Sequence, residues 1–391
     1  MMKQNTVNEK RLKVDKKLDD IQYEGLKTFE DYLRIAEFDY KDLAEDLAED
    51  LLDASEVDKI FCKLFQLAGA KENIFTANSE FEKWENWKNR GGIDPDDSNQ
   101  NNPNPFIRAI YYLLWGKRIN LEKEIEGKSK GIYENGWGRF STSYICDKKY
   151  VWGGETMNTI GSYLPNDMDE DLKKRLNILC KNSHKVGNFV LVPAYFNRWK
   201  GMKLKDRMDI ALSELKENKK GYSLQWGANA ALKGQHKENN MNTVVNKFKS
   251  LEQEDFNLYI NMFFLWDYIV VENGDYKIKN MWIKEGNNEA IENYVENARR
   301  FIERRNIFIA TMLYIAQELK DNKEYEDRKD WNEWNVSTAY KIIVNKVFLQ
   351  NRVFNNYQEI VTEVKKFIDN FERKNELVTV LEVSLNMINE I

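Results

Sequence analysis

The chain has 391 residues, a formal net charge of −5, 42% hydrophobic and 13% aromatic residues, which is ample material for a folded core. No stretch approaches the run of about 18 apolar residues that a membrane span needs, and the acidic balance argues against a protein that binds nucleic acid over its whole surface. Three widely spaced cysteines, Cys62, Cys146 and Cys180, form no CxxC pair and point to neither a zinc knuckle nor a disulfide framework.

The polar start, "MMKQNTVNEKRLKVDKKLDD", lacks the apolar core of a secretion signal, so a cytoplasmic location is expected. High Lys, Asn and Ile usage fits an AT-rich bacterial or phage source. Residues 1–90 carry 15 Lys+Arg against 21 Asp+Glu, which leaves the remainder near neutral. An acidic run, "DLAEDLAEDLLDASEVD", occupies 42–58. It is either a solvated helix face or a surface for a protein partner.

Residues 21–90 read as helices, with Leu43, Leu47 and Leu51 on one stripe and Ile60, Leu64 and Leu67 on a second. The stretch "RGGIDPDDSNQNNPNPF" at 90–106 holds three of the five prolines and marks a linker loop over 91–105. Phe106–Trp115 reads as an apolar helix, and the Gly- and Tyr-rich stretch 132–152 as a small β region. "DMDEDLKKRLNILCKNSH" has acidic residues first and basic ones after, which suits a helix dipole. "NFVLVP" is a short buried strand, and "KLKDRMDIALSELKENKKG" an amphipathic helix with Leu204, Met208, Ala211, Leu212 and Leu215 inward. "FNLYINMFFLWDYIV" is apolar nearly all round and predicts one core helix. Asn273-Gly274 predicts the turn of a hairpin, and "NYVENARRFIERRNIFIATMLYIAQELK" one or two long helices. Apolar spacing in the tail (Ile360, Val364, Phe367, Phe371, then Leu377, Leu381, Leu385, Ile388) predicts a helical pair packed on its own body.

The expected fold class is therefore α+β, predominantly α-helical, with a small β element at about 118–192. The expected organisation is an acidic helical region at 1–90, the linker at 91–105, a main body at 106–350 and a C-terminal helical hairpin at 351–391.

Two stretches carry the residue types of phosphodiester chemistry. "GGETMN" at 153–158 and "HKVGNFVLVPAYFNRWK" at 184–200 together supply Glu155, Asn158, His184, Asn188, Asn197, Arg198 and Lys200. A carboxylate, an imidazole and an amide can hold one divalent cation (Mg or Mn) and position a water, while Arg and Lys neutralise phosphate. Trp199, between two cations, is a candidate for stacking on a base. Arg207 follows on the same segment. A second basic set, Arg299, Arg300, Arg304 and Arg305 in "ARRFIERR", reaches two flanks of one helix. It either clamps phosphates or pairs with Glu296 and Glu303. For His184, Asn188 and Asn197 the alternative is structural: a turn histidine and two amides in cap and turn roles. No P-loop, GxSxG or dinucleotide fingerprint is present.

"SHKVGNFVLVPAYFNRWKGMKLKDR" resembles the second half of the HNH-type nuclease domain found in certain modification-dependent restriction enzymes. The matching residues are His184, Gly187-Asn188, Phe189–Val192, Asn197 and Lys200, about 20 residues in all. The upstream half of that pattern carries the histidine that acts as general base. The segment in its place here, "GGETMNTIGSYLP", has none. The resemblance implies a degenerate metal-dependent nuclease, with Glu155, Asn158 and His184 at the metal, His184, Asn197 and Glu155 in the chemistry, and DNA or RNA as substrate. Across residues 90–315, the order "DPDD", "LLWGK", "GGETMNT", "GNF", "FFLWDYIV" and "YVENARRFIERR" resembles an uncharacterised bacterial family. That family carries an aspartate where this chain has Glu155, and no activity comes with it.

Taken together, the expectation is a nucleic-acid-processing protein of a bacterial or phage conflict system such as antiviral defence. The alternatives are a non-enzymatic interaction module acting through the 42–58 helix and the tail, or a nucleotide-binding protein without catalysis.

Overall fold

A computed structural model of the chain describes residues 28–37, 140–144, 169–182, 185–193, 208–217, 253–279, 281, 288–320, 347, 353–369, 371 and 373–391. Their elements in chain order are α1 (Phe29–Glu37), β1 (Phe140–Tyr144), α2 (Glu170–Asn182), a 3-10 turn (Val186–Asn188), β2 (Phe189–Pro193), α3 (Met208–Glu217) and α4 (Gln253–Phe263). A second 3-10 turn (Trp266–Tyr268), β3 (Ile269–Glu272), β4 (Asp275–Ile278), α5 (Asn288–Lys320), α6 (Tyr357–Ile368) and α7 (Lys374–Glu390) complete them. The described protein is predominantly helical α+β, with two separate antiparallel strand pairs, β1–β2 and β3–β4.

The organising element is α5, 33 residues and, at 1.5 Å per residue, about 50 Å long. Its first half is amphipathic: Ile291, Tyr294, Val295, Ala298 and Ile302 are buried, while Glu289, Asn293 and Arg300 face solvent. From Arg305 to Gln317 every residue is buried. A helix buried on all sides needs neighbours all round. They are α1, α2, the first 3-10 turn and α7, with α6 packed on α7 in turn. Each fully buried Ile, Leu or Phe side chain contributes about 1.5–3 kcal/mol.

Local sequence sets the helix starts. Thr28 and Asp31 form a reciprocal box at α1: the Asp31 N–H donates to Thr28 Oγ1 (3.3 Å) and the Thr28 N–H to Asp31 Oδ2 (2.8 Å). Asp169 Oδ1 accepts from the Leu172 N–H at 2.8 Å and starts α2. At α6, Asn356 Oδ1 accepts from the Glu359 N–H (3.1 Å), and Glu359 reaches back to the Asn355 N–H (2.9 Å). The tail is the expected helical pair. Ile360, Val364, Phe371, Leu377, Leu381, Leu385 and Ile388 are buried, with Phe367 half-buried.

The expected single helix over "FNLYINMFFLWDYIV" is corrected. α4 ends at Phe263, and the chain turns through Phe264 at φ 57°. The Leu265 N–H donates to the Ile260 carbonyl (3.0 Å) and the Phe264 N–H to the Asn261 carbonyl (3.4 Å). This is the Schellman closure, with phenylalanine where glycine is usual. The left-handed conformation costs a residue with a Cβ about 1–2 kcal/mol. Ring contacts hold it: the Phe264 centroid lies 4.8 Å from Phe308 and 5.7 Å from Trp266, and Tyr357 stacks edge-on at 5.0 Å from Trp266. The remainder, Trp266–Glu272, is a 3-10 turn and a strand. That strand returns through Asn273 (φ 54°) and Gly274 (φ 76°), the hairpin turn expected of Asn-Gly.

Candidate functional site

The corner from Asn182 to Pro193 is held by side chains of α5. The Lys185 N–H donates to the Asn182 carbonyl (3.3 Å) and the Asn188 N–H to the Lys185 carbonyl (2.9 Å), which closes the turn between α2 and β2. The Gly187 N–H donates to Asn306 Oδ1 at 2.6 Å. A Cβ on Gly187 would sit 2.3 Å from the Ile302 carbonyl oxygen and 2.5 Å from Asn306 Oδ1. Glycine is required here for close approach.

Arg305, 1% exposed, donates from Nε to the Phe263 carbonyl (3.0 Å), from Nη1 to the Gly187 carbonyl, and from Nη1 and Nη2 to the Phe189 carbonyl (both 3.1 Å). At the rim, Asn182 Nδ2 donates to Glu303 Oε1 at 2.8 Å. Three residues of α5, Glu303, Arg305 and Asn306, thus grip the corner at 182, 187 and 189. Asn188 is fully buried.

β2 pairs antiparallel with β1, with Tyr144 opposite Phe189 and Phe140 opposite Pro193. The C-terminal end of β1 and the N-terminal end of β2 therefore lie at one end of the strand pair. Phe140 and Pro193 form the other end, about 13 Å away along the strands. Glu155, Asn158, His184, Asn197, Arg198, Trp199, Lys200 and Arg207 lie outside the described residues, as do the acidic run 42–58 and the loop 91–105.

Of the residues expected to bind nucleic acid, Arg299, Arg300 and Arg304 are described, and each is engaged. Arg299 donates to Glu296 (Nη2 to Oε1, 2.8 Å) and to Glu303. The hydrogen bond it donates to Glu296 holds its guanidinium above the ordinary range, and reciprocally Arg299 draws the Glu296 carboxyl down. Arg300 Nε donates to Glu296 Oε1 at 2.9 Å. For these two the carboxylate-pairing alternative describes the geometry.

Arg304 departs from both expectations. Its Nη1 donates to Asp267 Oδ1 (3.0 Å) on the second 3-10 turn and its Nε to the Ile388 carbonyl (3.1 Å) near the end of α7. Asp267 also accepts from the Tyr357 hydroxyl at 3.2 Å. Burial pushes the Asp267 carboxyl above its usual value, against the opposing pull of Arg304 and Lys279. Burial likewise lowers Lys279. Arg305 points into the core and not along a flank.

Sequence reasoning missed Asn306 and Asp267, and it set Arg305 on a flank of the helix where the structure buries it. A signal for the burial of Arg305 existed: Ala298, Ile302, Arg305, Ile309 and Met312 share one helical stripe, and all are buried. Among the described residues no three His, Cys, Asp or Glu side chains come together as a metal site, and no helix is long and apolar enough to cross a membrane. No family model, curated protein or solved structure matches this chain.

Proposed function

We propose that the chain is a nucleic-acid-processing protein whose working groups sit on the "GGETMN" segment that follows β1 and on the 184–200 segment that contains β2. Glu155 and Asn158 would hold a divalent cation, Mg or Mn, with His184 as ligand or general base. Asn197 would orient His184, Arg198 and Lys200 would hold phosphate, and Trp199 would stack on a base. One observation supports the reading. The antiparallel register, Tyr144 opposite Phe189, puts the C-terminal end of β1 and the N-terminal end of β2, the described ends nearest in sequence to "GGETMN" and His184, at the same end of a strand pair. Antiviral defence is the setting suggested by the nuclease resemblance.

The test is incubation of the purified chain with single- and double-stranded DNA and RNA in the presence of Mg or Mn. Cleavage that His184→Ala abolishes, with circular dichroism unchanged, is the expected result. Absence of cleavage of every substrate by the unaltered chain sinks the reading.

A second reading, a non-enzymatic interaction module, is supported by the engagement of Arg299, Arg300 and Arg304 with carboxylates. In that case neutralising Glu45, Asp46, Glu49 and Asp50 removes the biological effect, and His184→Ala leaves it intact. Substitution suits this test better than deletion of residues 1–90. That deletion would also strip Phe29, Tyr32 and Ile35 from the core around α5.

A further inference from the structure

We infer that Lys279 is an acylation site: its amine takes the acyl group of a small acyl phosphate in preference to Lys277, the more exposed lysine two residues before it. Lys279 follows β4, and its N–H donates to the Tyr268 carbonyl at 2.8 Å, which fixes the residue against the second 3-10 turn. The side chain is half-buried, with Nζ 6.0 Å from the centroid of the Phe301 ring. That distance is the outer reach of a cation–π contact, so the ring keeps water from the amine more than it holds the charge.

The surroundings also deny this ammonium a counter-ion. The carboxylate that acts on it, Asp267, is already engaged on both oxygens, by Arg304 Nη1 (3.0 Å) and by the Tyr357 hydroxyl (3.2 Å). Arg304 brings a like charge beside it. Among the described residues no carboxylate comes within ion-pair distance of Lys279, whereas Lys173, Lys216, Lys277, Lys365 and Lys366 each have one. Burial draws the Lys279 amine below its ordinary value; Asp267 opposes this and Arg304 adds to it. Lys277 goes the other way, because its hydrogen bond to Glu272 holds the ammonium above its ordinary value.

The two amines are therefore opposed in what they offer an electrophile. Lys277 is reachable but kept protonated, and Lys279 is less reachable but more readily neutral. Only the neutral amine has a lone pair to give. It adds to the carbonyl carbon of the acyl phosphate, the bond from that carbon to the phosphate oxygen breaks, phosphate leaves with the electron pair, and the nitrogen's proton passes to water. The amide formed carries no charge, which removes the cost of keeping a half-buried ammonium beside Arg304.

The test treats the full chain with acetyl phosphate at mildly alkaline pH and follows each lysine by mass spectrometry, in buffer and in urea. The rates in urea normalise for local sequence. Lys279 should be acetylated severalfold faster than Lys277 in buffer after that normalisation. Arg304→Met removes the like charge and frees Asp267 to pair with Lys279, so Lys279 should slow while Lys277 keeps its rate. Should Arg304→Met fail to fold, Asp267→Asn tests the same cluster in the opposite sense: it removes the charge that favours the ammonium, and Lys279 should react faster. A normalised rate at Lys277 equal to or above that at Lys279 overturns the inference, because exposure alone then sets the order. So does an unchanged Lys279 rate in either folded variant.

Discussion

Two corners of this protein share a 3-10 turn that runs into a strand, and have opposite chemistry. In the first, α2 leads through the 3-10 turn Val186–Asn188 into β2. In the second, α4 leads through Trp266–Tyr268 into β3. Both turns end on an extended residue, Phe189 (φ −104°, ψ 144°) and Ile269 (φ −120°, ψ 142°), whose N–H returns to the first carbonyl of the turn. Both dock on the same stretch of α5. The first is held mainly by its backbone, through Gly187 and Phe189, and the second by side chains. Asp267 meets Arg304, Trp266 lies 5.3 Å from the Phe308 ring, and Tyr268 lies 5.0 Å from Phe301. A backbone-held corner is intolerant at one position, the glycine, and lenient elsewhere. A side-chain-held corner spreads its requirements over several rings and one ion pair.

Arg305 belongs to both, because it binds the Phe263 carbonyl at the end of α4 as well as the first corner. Its removal, with that of the Phe264 ring, is the largest expected effect. Arg305→Ala removes its hydrogen bonds to buried carbonyls of both corners and opens a cavity, at about 3–5 kcal/mol. The unfolding midpoint in urea should fall accordingly. Arg305→Met, which fills the space without donors, should recover only part of the loss. Full recovery by Met would mean that packing, and not the carbonyl grip, holds the corners.

Next in size is the test that separates them. Gly187→Ala drives a methyl against the Ile302 carbonyl and should cost about 1–3 kcal/mol, the usual range for overpacking. The second corner has no equivalent position, and its sensitive residue is Phe264. Phe264→Ala removes a fully buried ring, and Phe to Ala in a core costs about 3–5 kcal/mol, offset in no part by relief of φ, since alanine retains the Cβ. Phe264→Gly relieves the backbone and should therefore lose less than Ala does. Thermal denaturation of the pair measures the difference.

The ion pair of the second corner gives a pH signature. Burial raises the folded-state pKa of Asp267 above its unfolded value, so the folded protein takes up a proton before the unfolded chain does. As pH falls from neutrality through the raised folded pKa, that proton uptake favours the folded form. The advantage is complete below the unfolded value. Asp267→Asn removes this term, so stability relative to the variant should rise as pH falls. A difference that shrinks or stays flat over that window would show that Arg304 and Lys279 outweigh burial.

Much of the fold was legible because its signals are local. Asn273-Gly274 dictates its hairpin, the 3.6-residue spacing of the tail dictates α6 and α7, and the acidic start of "DEDLKKRL" opens α2. The α4 boundary was not legible, because phenylalanine occupies the left-handed stop and only distant rings hold it there. The candidate site was half legible. His184, Gly187 and Asn188 stood out as a motif, yet the need for Gly187 comes from Asn306, 119 residues away. The row of arginines looked like a surface feature because position along the sequence does not distinguish the outward Arg300 from the buried Arg305. The stripe through Ala298, Ile302 and Ile309 does.

The smallest effect sharpens what glycine does in each half of the comparison. Gly274 follows the second corner, at φ 76° with nothing within 4 Å of where a Cβ would be. Its requirement is conformational and not steric, the reverse of Gly187. Gly274→Ala should therefore cost about 1 kcal/mol, set by the left-handed backbone alone. Gly274→Asn should cost less, because asparagine tolerates that region. At Gly187 the order should invert: asparagine, being larger, should be worse than alanine. Melting temperatures of the four variants test both orders, and a common order at the two sites would refute the distinction between close approach and positive φ.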